Sequence, residues 1–335
     1  MRHVRTRQAD KLAKIYDAEI LPIWSRRFGK MLLRDLALPP RAMVLDVACG
    51  TGYPSLEILR RMDGEGRIIA IDPSSPMLDE ARMKAGPLSG KRIFFRSESA
   101  LPRLPFADDV YDLTLCNAAL QEFDDPEPVI RDFARVTKPG GRVIVTLPLA
   151  GSYREFFDIF REVLVKEDLK EAIDRLDAYL VRFPPIEQAR AWFEDAGLED
   201  VEVEYDTFTL LFKSGREFFF APIIEYGPLA DWKAIAGKGE VMQKVFWDAK
   251  EAIDKYFAGS SFAVTIEAGC VRGRKAAPEA GRILGAPGEE GDGEGEDDVP
   301  TGEVELATGE IEIVEHGRRE LDDDDDDDDG AGGIL

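Results

Sequence analysis

Between residues 40 and 147, short apolar runs alternate with helical stretches, and few folds accommodate that rhythm. Met43–Ala48, Arg67–Ile71, Arg92–Phe95, Asp112–Asn117 and Gly141–Leu147 read as strands, each with a turn or helix before the next. Parallel strands need crossovers long enough to hold a helix, so this pattern predicts an α/β, doubly wound parallel sheet. Before the fifth strand, Pro128–Thr137 reads as a short amphipathic helix closed by Lys138-Pro139-Gly140-Gly141.

The first strand carries Asp46 and runs into Val47-Ala48-Cys49-Gly50-Thr51-Gly52. Glycines at the carboxyl end of such a sheet let a ligand approach the backbone. Twenty residues past Gly52 the second strand delivers Asp72, and that spacing suits a carboxylate that accepts both hydroxyls of an adenosine ribose. A dinucleotide fingerprint needs a third glycine where Ser55 stands, which disfavours a nicotinamide-dependent oxidoreductase. The sequence also has no G-x-x-x-x-G-K-[ST], so the expected ligand combines an adenosine with a small anion rather than a polyphosphate.

Five motifs occur in order: Val44 to Gly52, Ala70-Ile71-Asp72-Pro73-Ser74 with Met77-Leu78, Leu104-Pro105-Phe106, Tyr111-Asp112-Leu113, and Arg135 to Gly141. With them the chain resembles class I S-adenosylmethionine (SAM) dependent methyltransferases, most of all the small-molecule branch that includes ubiquinone and menaquinone C-methyltransferases. The resemblance covers about residues 40–150, and a terminal strand at 262–275 is compatible with it. It implies a Rossmann-like seven-stranded sheet whose last strand is antiparallel, SAM as cofactor and S-adenosylhomocysteine (SAH) as product. It also implies ligand contacts: Asp46, Ala48 and the Gly50-Thr51-Gly52 backbone beside the methionine portion, Asp72 on the ribose, and Pro73, Ser74, Ser75 or Met77 near the adenine. Asn117 would face the sulfonium, and Tyr16 would close over the cofactor. Each residue also has a plainer reading: Asp46 as a turn cap, Met77 as core.

Two positions depart from the family pattern. Ala100 stands where relatives carry an Asp for the adenine amino group, leaving Glu98 or Ser99 as substitutes, and Gln121 stands where a His is common. With no histidine near the site, the catalytic base is unassigned, the candidates being Glu122, Asp124 and Tyr153. Methyl transfer is an in-line displacement at an activated carbon, so alignment carries much of the acceleration even without a base.

Flanking this region, residues 1–39 read as an N-terminal helical cap interrupted at Pro22, within a 40–275 domain that has a helical insertion at about 151–185. Helices at Ile186–Ala196, Gly215–Phe220 and Glu240–Phe257 and strands at Val201–Leu211 and Phe262–Cys270 complete it. Aromatic residues of these segments, among them Trp24, Phe28, Tyr153, Phe156, Phe157, Phe218, Trp232, Phe246, Trp247 and Tyr256, divide between core and the wall of an apolar acceptor pocket.

The net charge of −23 is unevenly placed: residues 276–335 hold 22 Asp and Glu against three Arg, and the remainder holds 44 acids and 40 bases. Residues 276–335 therefore read as an acidic, largely disordered tail that would repel nucleic acid and suit a basic protein partner. Within it Thr301–Leu306 recurs as Thr308–Ile313, which suits a hairpin, a strand added to a partner's sheet edge, or a frayed linker, and Asp322–Asp329 is an unbroken run of like charge. A binding or regulatory protein acting through this tail is the alternative to an enzyme. Three scattered cysteines, two histidines and the lack of a long apolar run predict no disulfide framework, no zinc site, no membrane span and a cytoplasmic setting.

Overall fold

The computed structural model describes residues 7–277, so the repeat, the aspartate run and nearly all of the acidic tail lie outside the described residues. Helix α1 (Arg7–Ile15) runs into a π-helical turn, Tyr16–Ile20, and then α2 (Ser25–Leu32). Next come β1 (Met43–Val47), α3 (Ser55–Arg61), β2 (Arg67–Ile71), α4 (Ser75–Ala85), β3 (Ile93–Arg96), β4 (Tyr111–Asn117), α5 (Pro126–Val136) and β5 (Thr137–Pro148). The second half holds α6 (Arg154–Lys166), α7 (Lys170–Leu180), α8 (Ile186–Asp195), β6 (Leu198–Phe212), α9 (Gly215–Phe220), α10 (Pro222–Glu225), α11 (Leu229–Ala236), α12 (Gly239–Tyr256) and β7 (Phe262–Lys275).

The seven strands form one sheet in the order β3-β2-β1-β4-β5-β7-β6. The first five are parallel and β7 is antiparallel to both β5 and β6, the arrangement the resemblance implied. Successive side chains of a strand point to opposite faces, and the core divides accordingly. Val44, Ile68, Leu115 and Ile144 pack on one face, while Leu45, Val47, Cys116, Val143 and Val145 pack on the other. The second face is covered by α5 and α8 through Ile130, Phe133, Trp192 and Phe193. The first receives α2, α6 and the helices that follow β6.

Several boundaries differ from the sequence reading for local reasons. Helix α5 starts at Pro126 rather than Pro128, because the Asp125 carboxylate accepts from the Glu127 amide at 3.2 Å and caps it. Lys138 to Gly141 does not end the chain direction. The register jumps from Tyr111 opposite Thr137 to Leu113 opposite Arg142, so these residues bulge within β5, and Lys138 anchors them on Asp112 at 3.0 Å. Strand β7 continues to Lys275 rather than Cys270 because it is hydrogen-bonded along both edges. Helices α10 and α11 were not legible as separate elements.

The helices after β5 share an aromatic core. Phe156 is fully buried on α6, stacked 4.2 Å from Trp232 of α11 and 5.3 Å from Phe160, with Phe218 of α9 at 5.1 Å. Aromatic pairs at these separations add to their area burial. Phe156→Ala is expected to lower the unfolding free energy by about 3–5 kcal/mol in urea denaturation, since the surrounding rings cannot collapse onto the vacated volume. A loss below about 1 kcal/mol would show that this cluster is not a packing centre.

Candidate functional site

The parallel strands end level with one another: Val47 lies opposite Ile71 and Cys116, and Cys116 opposite Val145. Above this carboxyl edge lies a cavity of about 580 Å³. One half is walled by the turn after β1, the end of β2, the start of α4 and the loop after β3; the other half is walled by the segments after β4, α7 and α9.

The turn after β1 is left-handed at Ala48 (φ 57°), Gly50 (φ 52°) and Gly52 (φ 95°). Gly52 is also confined, since an added Cβ would sit 3.1 Å from the Ala81 methyl. Asp72 holds the turn against β2: one carboxylate oxygen accepts from the Gly50 amide at 2.9 Å and the other from the Ser74 amide at 2.8 Å. Thr51 donates to Asp17 at 2.6 Å, and Asp17 also meets Lys84. Tyr16 opens the π-helical turn, a feature common at functional sites. Its hydroxyl is 2.6 Å from Ser25 Oγ, and its ring lies 3.7 Å from where a Gly50 Cβ would be. Burial, reinforced by the Asp72 and Asp17 carboxylates, pushes the Tyr16 hydroxyl above its ordinary range.

Of the residues singled out from sequence, Tyr16, Ala48, Gly50, Asp72, Pro73, Ser74, Met77, Glu98 and Ser99 line this cavity, as does Ala100. Asp46, Thr51, Gly52 and Asn117 are not among the residues lining it. Asn117, expected to face the sulfonium, instead donates to the Ser25 carbonyl at 3.1 Å and accepts from Thr146 at 2.9 Å, fastening α2 to β4 and β5. Asp46 is fully buried; one oxygen accepts from Ser55 Oγ at 2.6 Å and Oδ1 has no partner among the described residues. Desolvation, helped by the nearby Asp72, pushes its carboxyl up to about 7. Asp72 is likewise raised by burial, against the pull of its two amide donors.

The other half of the cavity is aromatic, walled by Trp24, Phe123, Tyr153, Tyr179, Phe183 and Tyr226. Only Trp24 and Tyr153 had been singled out as possible wall residues. Phe28, Phe156, Phe218 and Trp232 are fully buried core, whereas Trp247 and Tyr256 are exposed. Tyr179 and Phe183 stand four residues apart where α7 ends, a helical spacing that marks a shared face, with Arg182 beside them. Arg182 donates to Asp124 and Asp231, each at 3.1 Å, and lies 5.4 Å from the Tyr179 ring. Of the candidate bases, Glu122 and Tyr153 line the cavity and Asp124 does not. Ala48, Ala118 and Tyr153 are non-glycine residues with positive φ, and all three face this cavity. Such strain gathers where a site is held by its surroundings.

A family model described as a methyltransferase domain matches residues 44–141. The demethylmenaquinone methyltransferase of Bacillus cereus (strain B4264) is 27% identical over 212 residues, a match covering 59% of this chain and 89% of that protein. The protein of the same name from Bacillus anthracis (strain CDC 684 / NRRL 3495) matches to the same extent. The crystal structure of the YcgJ protein from Bacillus subtilis shares the fold, with a TM-score of 0.50 at 17% identity over 76% of this chain and 100% of that one. Together with the sheet topology, these matches support a class I SAM-dependent methyltransferase. Among the described residues, no helix is long and apolar enough to cross a membrane, and no cluster of side chains is arranged to hold a metal.

The raised Asp46 carboxyl gives the ligand-free protein a defined pH response. Its folded value, about 7, lies above the ordinary 3.8, so the fold favours the protonated form. That contribution is full below about pH 4 and is lost as pH rises through about 7, for a total on the order of 4 kcal/mol. Asp46→Asn keeps the acceptor for Ser55 without the titration. It is expected to be more stable than the parent at pH 8, with the difference shrinking to nothing by pH 4, as read from urea midpoints across that range. A difference that does not vary with pH would contradict the assignment.

Proposed function

We propose that this chain transfers the methyl group of SAM to a small acceptor that is aromatic or lipid-like. The observation that carries the reading is the pair of buried carboxylates, Asp46 and Asp72, set without a counter-charge beneath a glycine turn that opens into an aromatic cavity. The residues present fit SAM. The Asp72 oxygens have lone pairs left for the ribose hydroxyls after serving Gly50 and Ser74. Gly50 exposes backbone to the methionine portion, and Met77, Pro73 and Ser74 provide a partly apolar slot for the adenine. Ser99 and Glu98 line the cavity beside that slot and are the polar side chains there that stand in for Ala100, although Ser99 Oγ also accepts from the Leu101 amide at 3.1 Å and Glu98 also meets Arg96 at 2.8 Å. Asp46 and its unpaired oxygen favour a ligand that brings positive charge.

The cavity argues equally against a pyrophosphate-containing cofactor. Among the residues lining it Arg182 is the sole cation, and it lies in the aromatic half, so no cation at the Asp72 end would balance polyphosphate.

When bound, SAM supplies a methyl group on a sulfonium, already activated for displacement. The chain's part is to align and enclose. Tyr16 covers the turn, and the aromatic wall excludes water from the acceptor. The similarity to demethylmenaquinone methyltransferases supports an aromatic ring, with or without an apolar tail, as the methyl acceptor.

Calorimetry with the full chain tests the cofactor assignment. SAM and SAH are expected to bind and NAD is not. Asp72→Ala is expected to weaken SAM at least about ten-fold, the loss of charge-assisted hydrogen bonds. Thermal melts without ligand would separate that loss from unfolding of the turn. SAM affinity unchanged in a folded Asp72→Ala variant would show that the cofactor binds elsewhere.

A further inference from the structure

The aromatic half of the cavity is short of positive charge. Its charged groups are Glu122, Asp231 and Arg182, and Asp124 lies just outside the wall. Arg182 is already committed: its two terminal nitrogens bridge Asp124 and Asp231, which leaves the Glu122 carboxylate without an ion pair of its own among the described residues. The bond that reaches Glu122 is a long one from Gln121 Nε2, at 3.5 Å, and the same nitrogen donates to the Ala118 carbonyl at 2.9 Å. That second bond fixes the Gln121 amide with Oε1 inward, and this oxygen is buried with no donor among the described residues.

Glu122 is an exposed residue at the cavity wall, and the charged and aromatic groups that face it are Tyr179 and Arg182 from the end of α7, Asp231 from α11, Tyr153 ahead of α6, and Gln121 beside it. Desolvation, followed by the like charge of Asp231, pushes the Glu122 carboxyl above its ordinary range, with Arg182 opposing. The site resists a second negative charge. The protein's own cation shows how a positive group is accommodated, for Arg182 lies over the Tyr179 face at 5.4 Å while its nitrogens meet carboxylates. Aromatic faces next to a carboxylate hold a cation by its attraction to the ring quadrupole as well as by charge.

Resting on the methyltransferase reading above, we propose that the acceptor carries a protonated amine, held between the Glu122 carboxylate and the Tyr153, Tyr179 and Tyr226 rings. Glu122 is then a specificity-determining residue, selecting cationic acceptors over neutral or anionic ones of the same shape. The carboxylate excess in the whole cavity follows the same logic. A bound SAM sulfonium and an acceptor ammonium bring two positive charges into one cavity, and the lining carboxylates Asp72, Glu122 and Asp231 offset their mutual repulsion.

Three matched probes separate the possibilities in calorimetric titrations of the SAH-loaded full chain at neutral pH: phenethylamine, phenethyl alcohol and hydrocinnamate, which share a ring and differ in charge. Phenethylamine is expected to bind at least about ten-fold more tightly than the alcohol, with hydrocinnamate weakest. Glu122→Gln is expected to erase the amine preference while leaving the affinities for the alcohol and for SAH unchanged. With SAH bound, an amine that binds no better than the alcohol, a preference for hydrocinnamate, or an amine preference that survives Glu122→Gln overturns the inference. Failure of SAH itself to bind overturns the cofactor reading as well.

Discussion

The hydrogen bonds from the Gly50 and Ser74 amides to the Asp72 carboxylate are what the site hangs on. They tie the turn after β1 to the end of β2, so the left-handed backbone at Ala48, Gly50 and Gly52 is held by the neighbouring strand rather than by its own residues. This places Asp72 close enough to raise Asp46 beneath the turn, and both carboxylates lose water without gaining a cation. The instability is local and directional: a ligand bearing positive charge relieves it, and an anionic one aggravates it. Ligand chemistry therefore follows from how two parallel strands end.

The rest of the molecule supplies what the sheet edge lacks. Asn117 and Thr146 draw the backbone of α2 onto β4 and β5, which brings Trp24 into the wall, while the π-helical turn before α2 sets Tyr16 over Gly50. The helices after β5 pack on one another through Phe156, Phe160, Phe218 and Trp232 and present Tyr179, Arg182 and Asp231 to the opening. Arg182 joins Asp124, in the loop before α5, to Asp231 on α11, so a single side chain links segments separated widely in sequence.

The cofactor half was legible in sequence because its signals are local. A strand, a glycine turn and a second strand ending in Asp72 impose their spacing on a short stretch of chain, and the motifs that carried the family resemblance fall within one hundred or so residues. The seven-strand count and the antiparallel β7 followed from the resemblance rather than from the residues. Asn117 illustrates a limit: its place at the end of β4 was readable, but whether its amide faces a ligand or a neighbouring helix depends on Ser25, 92 residues away. The aromatic half was poorly legible for the same reason. Phe156 and Tyr179 sit in equally aromatic helical stretches, and only the packing of α6 against α11 sends one into the core and leaves the other at the wall. Arg182 and Asp231 carried no signal at all, since their roles exist only once α7 and α11 are brought together.

The account rests on a cationic ligand relieving the strained carboxylate pair, and proton linkage reads that directly. Calorimetric titration of the full chain at pH 7, in buffers of different ionisation enthalpy, gives the number of protons released as ligand binds. Asp46 is about half protonated there in the free protein. SAM is expected to release up to about half a proton as its positive charge pulls the carboxyl down, whereas adenosine, which reaches Asp72 without that charge, releases none or takes protons up. SAM binding with no proton release, or with release matched by adenosine, would contradict the claim that the two buried carboxylates select the cofactor by its charge.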